Sequence, residues 1–63
     1  MTDPTFAQLV KFYQVVRQAV LMSSYLAFVE KGSNGNLYVH LGRYDNPISR
    51  MLLIISPEGE LST

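Results

Sequence analysis

His40 is the one histidine in this chain, and Asp45 and Ser49 follow it closely. These are the residue types of a Ser-His-Asp relay, in which imidazole takes the serine proton and a carboxylate holds the ring in place. Neither a nucleophile elbow nor any comparable spacing accompanies them. His40 therefore reads as a strand residue at a sheet surface or in an interface, and no catalytic residue is assigned. Glu58 and Glu60 flank Gly59, but two carboxylates do acid and base work only when burial or a neighbouring charge drives their affinities for protons apart. Nothing in the pattern supplies either, so both read as solvated. Gly32 and Gly35 lack the spacing of a phosphate loop and no Gly-Lys-Ser/Thr follows them, which makes them turn glycines.

Tyr38, His40, Arg43, Tyr44 and Arg50 come nearest to a recognition cluster. The loop from Gly42 to Ser49 can carry both arginines to one end of a sheet, where guanidinium groups would grip a carboxylate or phosphate and tyrosine rings would stack on them. Tyr44, beside two arginines, is the candidate exposed anchor. Local pairing of Arg43 with Asp45 across the loop is the competing, purely structural reading. With no cysteine and a single histidine, disulfides and thiolate metal sites are excluded, and the scattered carboxylates do not form a metal site. No cofactor is expected.

Composition narrows the classes further. The chain has 63 residues, 48% of them hydrophobic, with five basic and five acidic side chains. Disorder is disfavoured by that apolar content, and a nucleic-acid binder would need a surplus of Lys and Arg that is absent. The longest apolar run, Met51 to Ile55, is far short of the ~20 residues that cross a bilayer. No basic segment leads an apolar stretch at the N-terminus. A cytoplasmic protein that contacts neither membrane nor nucleic acid is the expectation, and the abrupt ending after a turn suggests that the chain could be part of a longer polypeptide.

The elements that would position these residues follow from periodicity. Asp3-Pro4 is a suitable helix start, and Phe6, Leu9, Val10, Tyr13, Val16 and Val20 recur at helical spacing, with Gln8, Lys11, Gln14 and Gln18 on the opposite side. That pattern predicts an amphipathic helix with its apolar arc on the core. Phe12, Ala19 and Leu21 widen the arc. The pattern breaks at Met22, so a strand is expected from Ser24 or Tyr25; one long helix to Lys31, ended by Gly32, is the rival. Asn34-Gly35 signals a two-residue hairpin turn, which would pair Phe28 with Leu41, Val29 with His40 and Lys31 with Tyr38; a longer loop would change that register. Leu37 to Arg43 alternates as a second strand. Arg50 to Ile55 is a third, and because Met51 to Ile55 is apolar at every position it implies cover on both faces. Glu60-Leu61 can begin a short returning strand.

One α+β domain over residues 1–63 is thus expected, an N-terminal helix followed by a three-stranded antiparallel meander. Burying about 3,700 Å² of apolar surface at about 25 cal/mol per Å² yields on the order of 90 kcal/mol, against roughly 95 kcal/mol for ordering the chain. A balance so near zero calls for a staple, and self-association, most simply a homodimer, is the one left. Two apolar surfaces are in excess of what one helix and one sheet need: the helix flank of Phe12, Val16 and Ala19, and a sheet face carrying either Met51, Leu53 and Ile55 or Leu52 and Ile54. Phe12, Val16, Ala19, Met51, Leu53 and Ile55 are the expected interface. The expected function is that of a non-enzymatic regulator, adaptor or accessory subunit acting on another protein. The alternative is a small-ligand or anion-binding domain, with or without enzymatic activity, whose pocket forms at the oligomer interface.

Overall fold

A computed structural model describes residues 3–63; Met1 and Thr2 lie outside the described residues. Helix α1 (Phe6–Leu21) precedes strands β1 (Ser24–Lys31), β2 (Leu37–Arg43), β3 (Arg50–Ile55) and β4 (Leu61–Ser62). The strands form one antiparallel sheet in the order β1-β2-β3-β4. The three expected strands lie where periodicity places them. The short returning strand allowed for at Glu60-Leu61 forms over Leu61 and Ser62, which pair with Ile55 and Ile54.

The helix starts two residues later than expected, capped by Thr5 instead of Asp3. Thr5 Oγ1 accepts from the Gln8 amide at 3.1 Å and Gln8 Oε1 accepts from the Thr5 amide at 3.0 Å. This reciprocal capping box needs Gln or Glu three residues after the cap, and the residue three after Asp3 is Phe6. At the other end the Met22 amide donates to Gln18 and Ala19 carbonyls. Ser23, at φ 60°, then turns the chain straight into β1, so the rival long helix does not form.

The face that α1 lays on the sheet corrects the sequence expectation. Gln8, Val15 and Ala19 are its buried residues, with Phe12 packed beside them, while Phe6, Leu9, Val10, Tyr13 and Val20 are exposed. The reason lies in Gln8, which is fully buried. Its Nε2 donates to the carbonyls of Gly35 at 2.7 Å and Ile55 at 3.1 Å. Its Oε1 accepts from Lys31 Nζ at 2.7 Å as well as from the Thr5 amide. A primary amide has two donors and two acceptor sites, so its capacity is filled. Thr5 Oγ1 donates to Pro57 O at 2.6 Å, and at Gly59, φ 84°, a Cβ would sit 3.0 Å from the Ala7 carbonyl oxygen. The first helical turn is thereby tied to both turns at one end of the sheet.

The β1–β2 register also differs from expectation. Gly35 donates to the Gly32 carbonyl at 3.1 Å, Gly32 donates to the Asn36 carbonyl at 2.9 Å, and Gly35 has φ 90°. The loop is thus three residues long, with glycine at its left-handed position. Lys31 pairs with Leu37, Val29 with Val39 and Phe28 with His40. A one-residue slip exchanges the faces of every side chain, so Val29 joins the helix side and Phe28 the outer side. A bulge between Leu26 and Phe28 shifts the register again and sets Leu26 opposite Leu41 and Tyr25 opposite Gly42.

The core is Leu37, Val39 and Leu41 from β2, Leu53 and Ile55 from β3, and Val15 and Ala19 from α1. Small Ala19 and the short Val15 let the helix lie close to these branched side chains. The outer face of the sheet, with Phe28, Leu52 and Ile54, has no second layer among the described residues, contrary to the two-sided cover expected for Met51 to Ile55. Replacing Gln8 with methionine keeps the volume but removes four hydrogen bonds. We expect Q8M to lose about 2–4 kcal/mol in urea unfolding, while Q14M, on the exposed helix surface, stays within about 0.5 kcal/mol.

Candidate functional site

The residues read as a recognition cluster are dispersed. Arg43 Nε and Nη2 bond Asp45 Oδ1 and Oδ2 at 3.0 and 2.9 Å, the local pair allowed for from the sequence. Both are well exposed, so the pair adds at most about 1 kcal/mol. His40 stacks on Phe28 with ring centroids 3.7 Å apart, and its Nε2 lies 3.1 Å from Glu30 Oε1. Tyr38 accepts from Asn34 Nδ2 at 3.1 Å. Tyr44 leans on Tyr25, ring centroids 5.3 Å apart, and is 70% exposed. Arg50 pairs with Gly42 in the sheet and enters no ion pair among the described residues. Tyr38, His40 and Arg50 share the outer face, whereas Arg43 belongs to the other side and is already engaged. No group of three or more metal-ligating side chains occurs among the described residues.

The residues expected at an interface are largely consumed inside the protomer. Ala19, Leu53 and Ile55 are core, Phe12 packs on that core and Val16 is half-buried. Met51, half exposed, and the half-buried Val16 remain available. The cause is the helix orientation: once Gln8 turns inward, the flank of Phe12 and Ala19 turns inward with it.

What sequence reasoning missed is therefore the surface left over on the other side of α1. Lys11, Gln14 and Gln18 flank a cleft of about 260 Å³ shared with Leu41, Met51, Leu53 and Leu61, so the polar flank of the helix overlooks β3 and β4. At 100° per residue, Leu9, Tyr13, Val16 and Val20 occupy the opposite flank, above the β1 edge. Phe6 is 83% and Tyr13 66% exposed; at roughly 200 Å² per aromatic side chain they alone leave about 300 Å² in water. On the floor beside them, Leu26 and Val29 of β1 are 44% and 38% exposed, although both face the helix side of the sheet. Together these side chains make more exposed apolar surface than the scattered residues of an ordinary monomer. The only signal for it in the sequence was the excess width of the apolar arc.

β1 is also a sheet edge, eight residues long. Backbone donors and acceptors along its free side have no strand partner, which makes it a template for another strand. Compared with known protein families, curated proteins and solved structures, the chain matches none. No helix among the described residues is long and apolar enough to cross a membrane. Because Tyr38, His40, Arg43 and Arg50 do not converge, phosphate at about a millimolar, too dilute for its general salting-out effect, should leave the thermal midpoint where chloride leaves it. A rise specific to phosphate would show a converged anion site.

Proposed function

We propose that this protein is a non-enzymatic interaction module that acts through protein–protein contacts, beginning with self-association. One observation carries the reading: α1 presents to solvent the more apolar of its two sides, with Phe6, Leu9, Tyr13 and Val20 all exposed, beside the open edge of the sheet. A lone 63-residue chain that buries a glutamine and leaves these side chains wet forfeits apolar burial it needs for stability, and a protein partner restores it. Catalysis finds no support in the same region, which contains neither a nucleophile–base pair nor a cluster of carboxylates.

The cleft between the polar flank of α1 and β3 favours a second reading, a binding site for a small apolar ligand. Its walls, Val15, Ala19, Leu41, Leu53 and Leu61, are apolar, and Lys11, Gln14 and Gln18 provide the polar rim. A thermal-shift screen with small apolar compounds decides it, since a ligand at 100 times its Kd stabilises by about 2.7 kcal/mol.

The leading reading is tested by sedimentation equilibrium. A mass of at least two chains is expected at tens of micromolar, and Y13E is expected to weaken association by tenfold or more, equivalent to about 1.4 kcal/mol, without unfolding the exposed position. A monomer mass for the wild-type chain up to millimolar concentration would remove the reading.

A further inference from the structure

We propose that a second copy of this chain docks along the β1 edge, the two β1 strands pairing antiparallel about a twofold axis near Val29 so that both sheets become one of eight strands. This rests on the self-association reading and names its partner and its geometry. Three observations select the second copy as occupant. Area is the first: Phe6, Leu9, Tyr13, Val20, Leu26 and Val29 together expose about 650 Å², judged from their fractional exposures, the larger part of the roughly 800 Å² that each side of a stable dimer contributes.

Self-complementarity is the second. This surface has a strand edge for its floor and an apolar helix flank for its wall, and a twofold axis normal to the sheet supplies each with its like. Below the bulge, Phe28 to Lys31 is regular strand. Only pairings that keep each face with its own kind are allowed there, because opposed residues in an antiparallel pair share a face. Val29 on the axis meets that condition: Val29 faces its copy on the helix side, and Phe28 lies opposite the other copy's Glu30 on the outer side. Centring the pair on Glu30 would instead set two carboxylates face to face, which is unfavourable.

The third observation is the contrast between the sheet's two edges. On β3 the edge is already partly closed by Leu61 and Ser62, and it adjoins the polar-rimmed cleft. β1 carries neither a proline nor an added strand; its protective devices are the bulge at Ala27 and the charges of Glu30 and Lys31, and both charges are engaged within the protomer, Glu30 by His40 and Lys31 by Gln8.

The chain has no cysteine, so a single introduced thiol reports its neighbour cleanly. In a directly opposed pair the Cα atoms lie about 4.5–5.5 Å apart, inside the range a disulfide spans. V29C should therefore convert to a reductant-sensitive covalent dimer under mild oxidation, while L52C, on the outer face, stays monomeric in a denaturing gel. If sedimentation still gives a dimer but V29C does not cross-link, the β1 geometry is overturned and self-association stands. Efficient cross-linking of L52C would point to stacked outer faces and equally overturn it. A wild-type chain that sediments as a monomer removes both this proposal and the reading beneath it.

Discussion

A single buried amide determines how this molecule is put together. Gln8 is bonded to Thr5, Lys31, Gly35 and Ile55, which belong to the helix cap, β1, the first hairpin loop and β3, the last three of them distant from it in the chain. Taking an unbonded amide out of water costs several kcal/mol, whereas a filled one is nearly neutral and highly directional. Only one rotation of α1 about its axis keeps all four bonds. That rotation brings Val15, Ala19 and Phe12 onto β2 and β3, and it leaves Phe6, Leu9, Tyr13 and Val20 outside. The exposed apolar wall is thus a consequence of the buried polar hub.

The outer face of the sheet is uncovered too, yet its side chains occupy one another. Tyr25 lies over Gly42 and Tyr38 over Gly32, each ring filling space that a Cβ would need, an arrangement that shields backbone at a glycine on a sheet surface. Between them the Phe28 and His40 rings stack, and His40 meets Glu30. Polar atoms are distributed across this face, from Asn34 at one end to Arg50 at the other. The helix flank has no comparable internal partners: its residues lie on one convex surface with no strand opposite. Of the two open apolar surfaces, the flank beside β1 therefore has the larger unmet tendency to leave water.

Element types were legible because they rest on local rules. Periodicity of 3.6 from Phe6 to Val20, alternation from Leu37 to Leu41 and turn residues between them are sufficient for a helix and three strands. The facing of those elements was not legible, and the failures have specific causes. Hydropathy treats Gln8 as surface, since three of its four partners are brought near only by the fold; Thr5 and Gln8 at capping-box spacing were the one local clue to its role. The hairpin register failed because Ser33-Asn34-Gly35 suits a three-residue loop as well as Asn34-Gly35 suits a two-residue one, and the bulge at Ala27 has no residue signature at all. The register error exchanged sheet faces, so Phe28 and Val29 changed places, while the bulge returns Leu26 to the helix side. The expected interface lost Ala19, Leu53 and Ile55 to the core and Phe12 to packing against it: excess apolar surface was inferred on the flank that Val16 shares, but it runs outward to Leu9, Tyr13 and Val20 instead of inward to Ala19.

Size explains why the excess is there. In a chain of 63 residues the core has room for one layer of side chains between helix and sheet, and the helix can contribute only the narrow stripe that faces inward. A helix serving that role alone would be polar over the remaining three-fifths of its circumference. Here Lys11, Gln14 and Gln18 occupy the flank beside the cleft and Arg17 the line opposite the sheet, while the flank of Leu9, Val16 and Val20 above β1 is apolar along its length. An asymmetry of that kind does nothing for a lone protomer and costs it solubility. Beside a strand edge with unpaired backbone groups it becomes useful, because the same approach of a second chain satisfies the edge and dries the flank together. Stability and association would then be coupled through concentration, with the Gln8 hub holding each protomer in the orientation that makes its edge presentable.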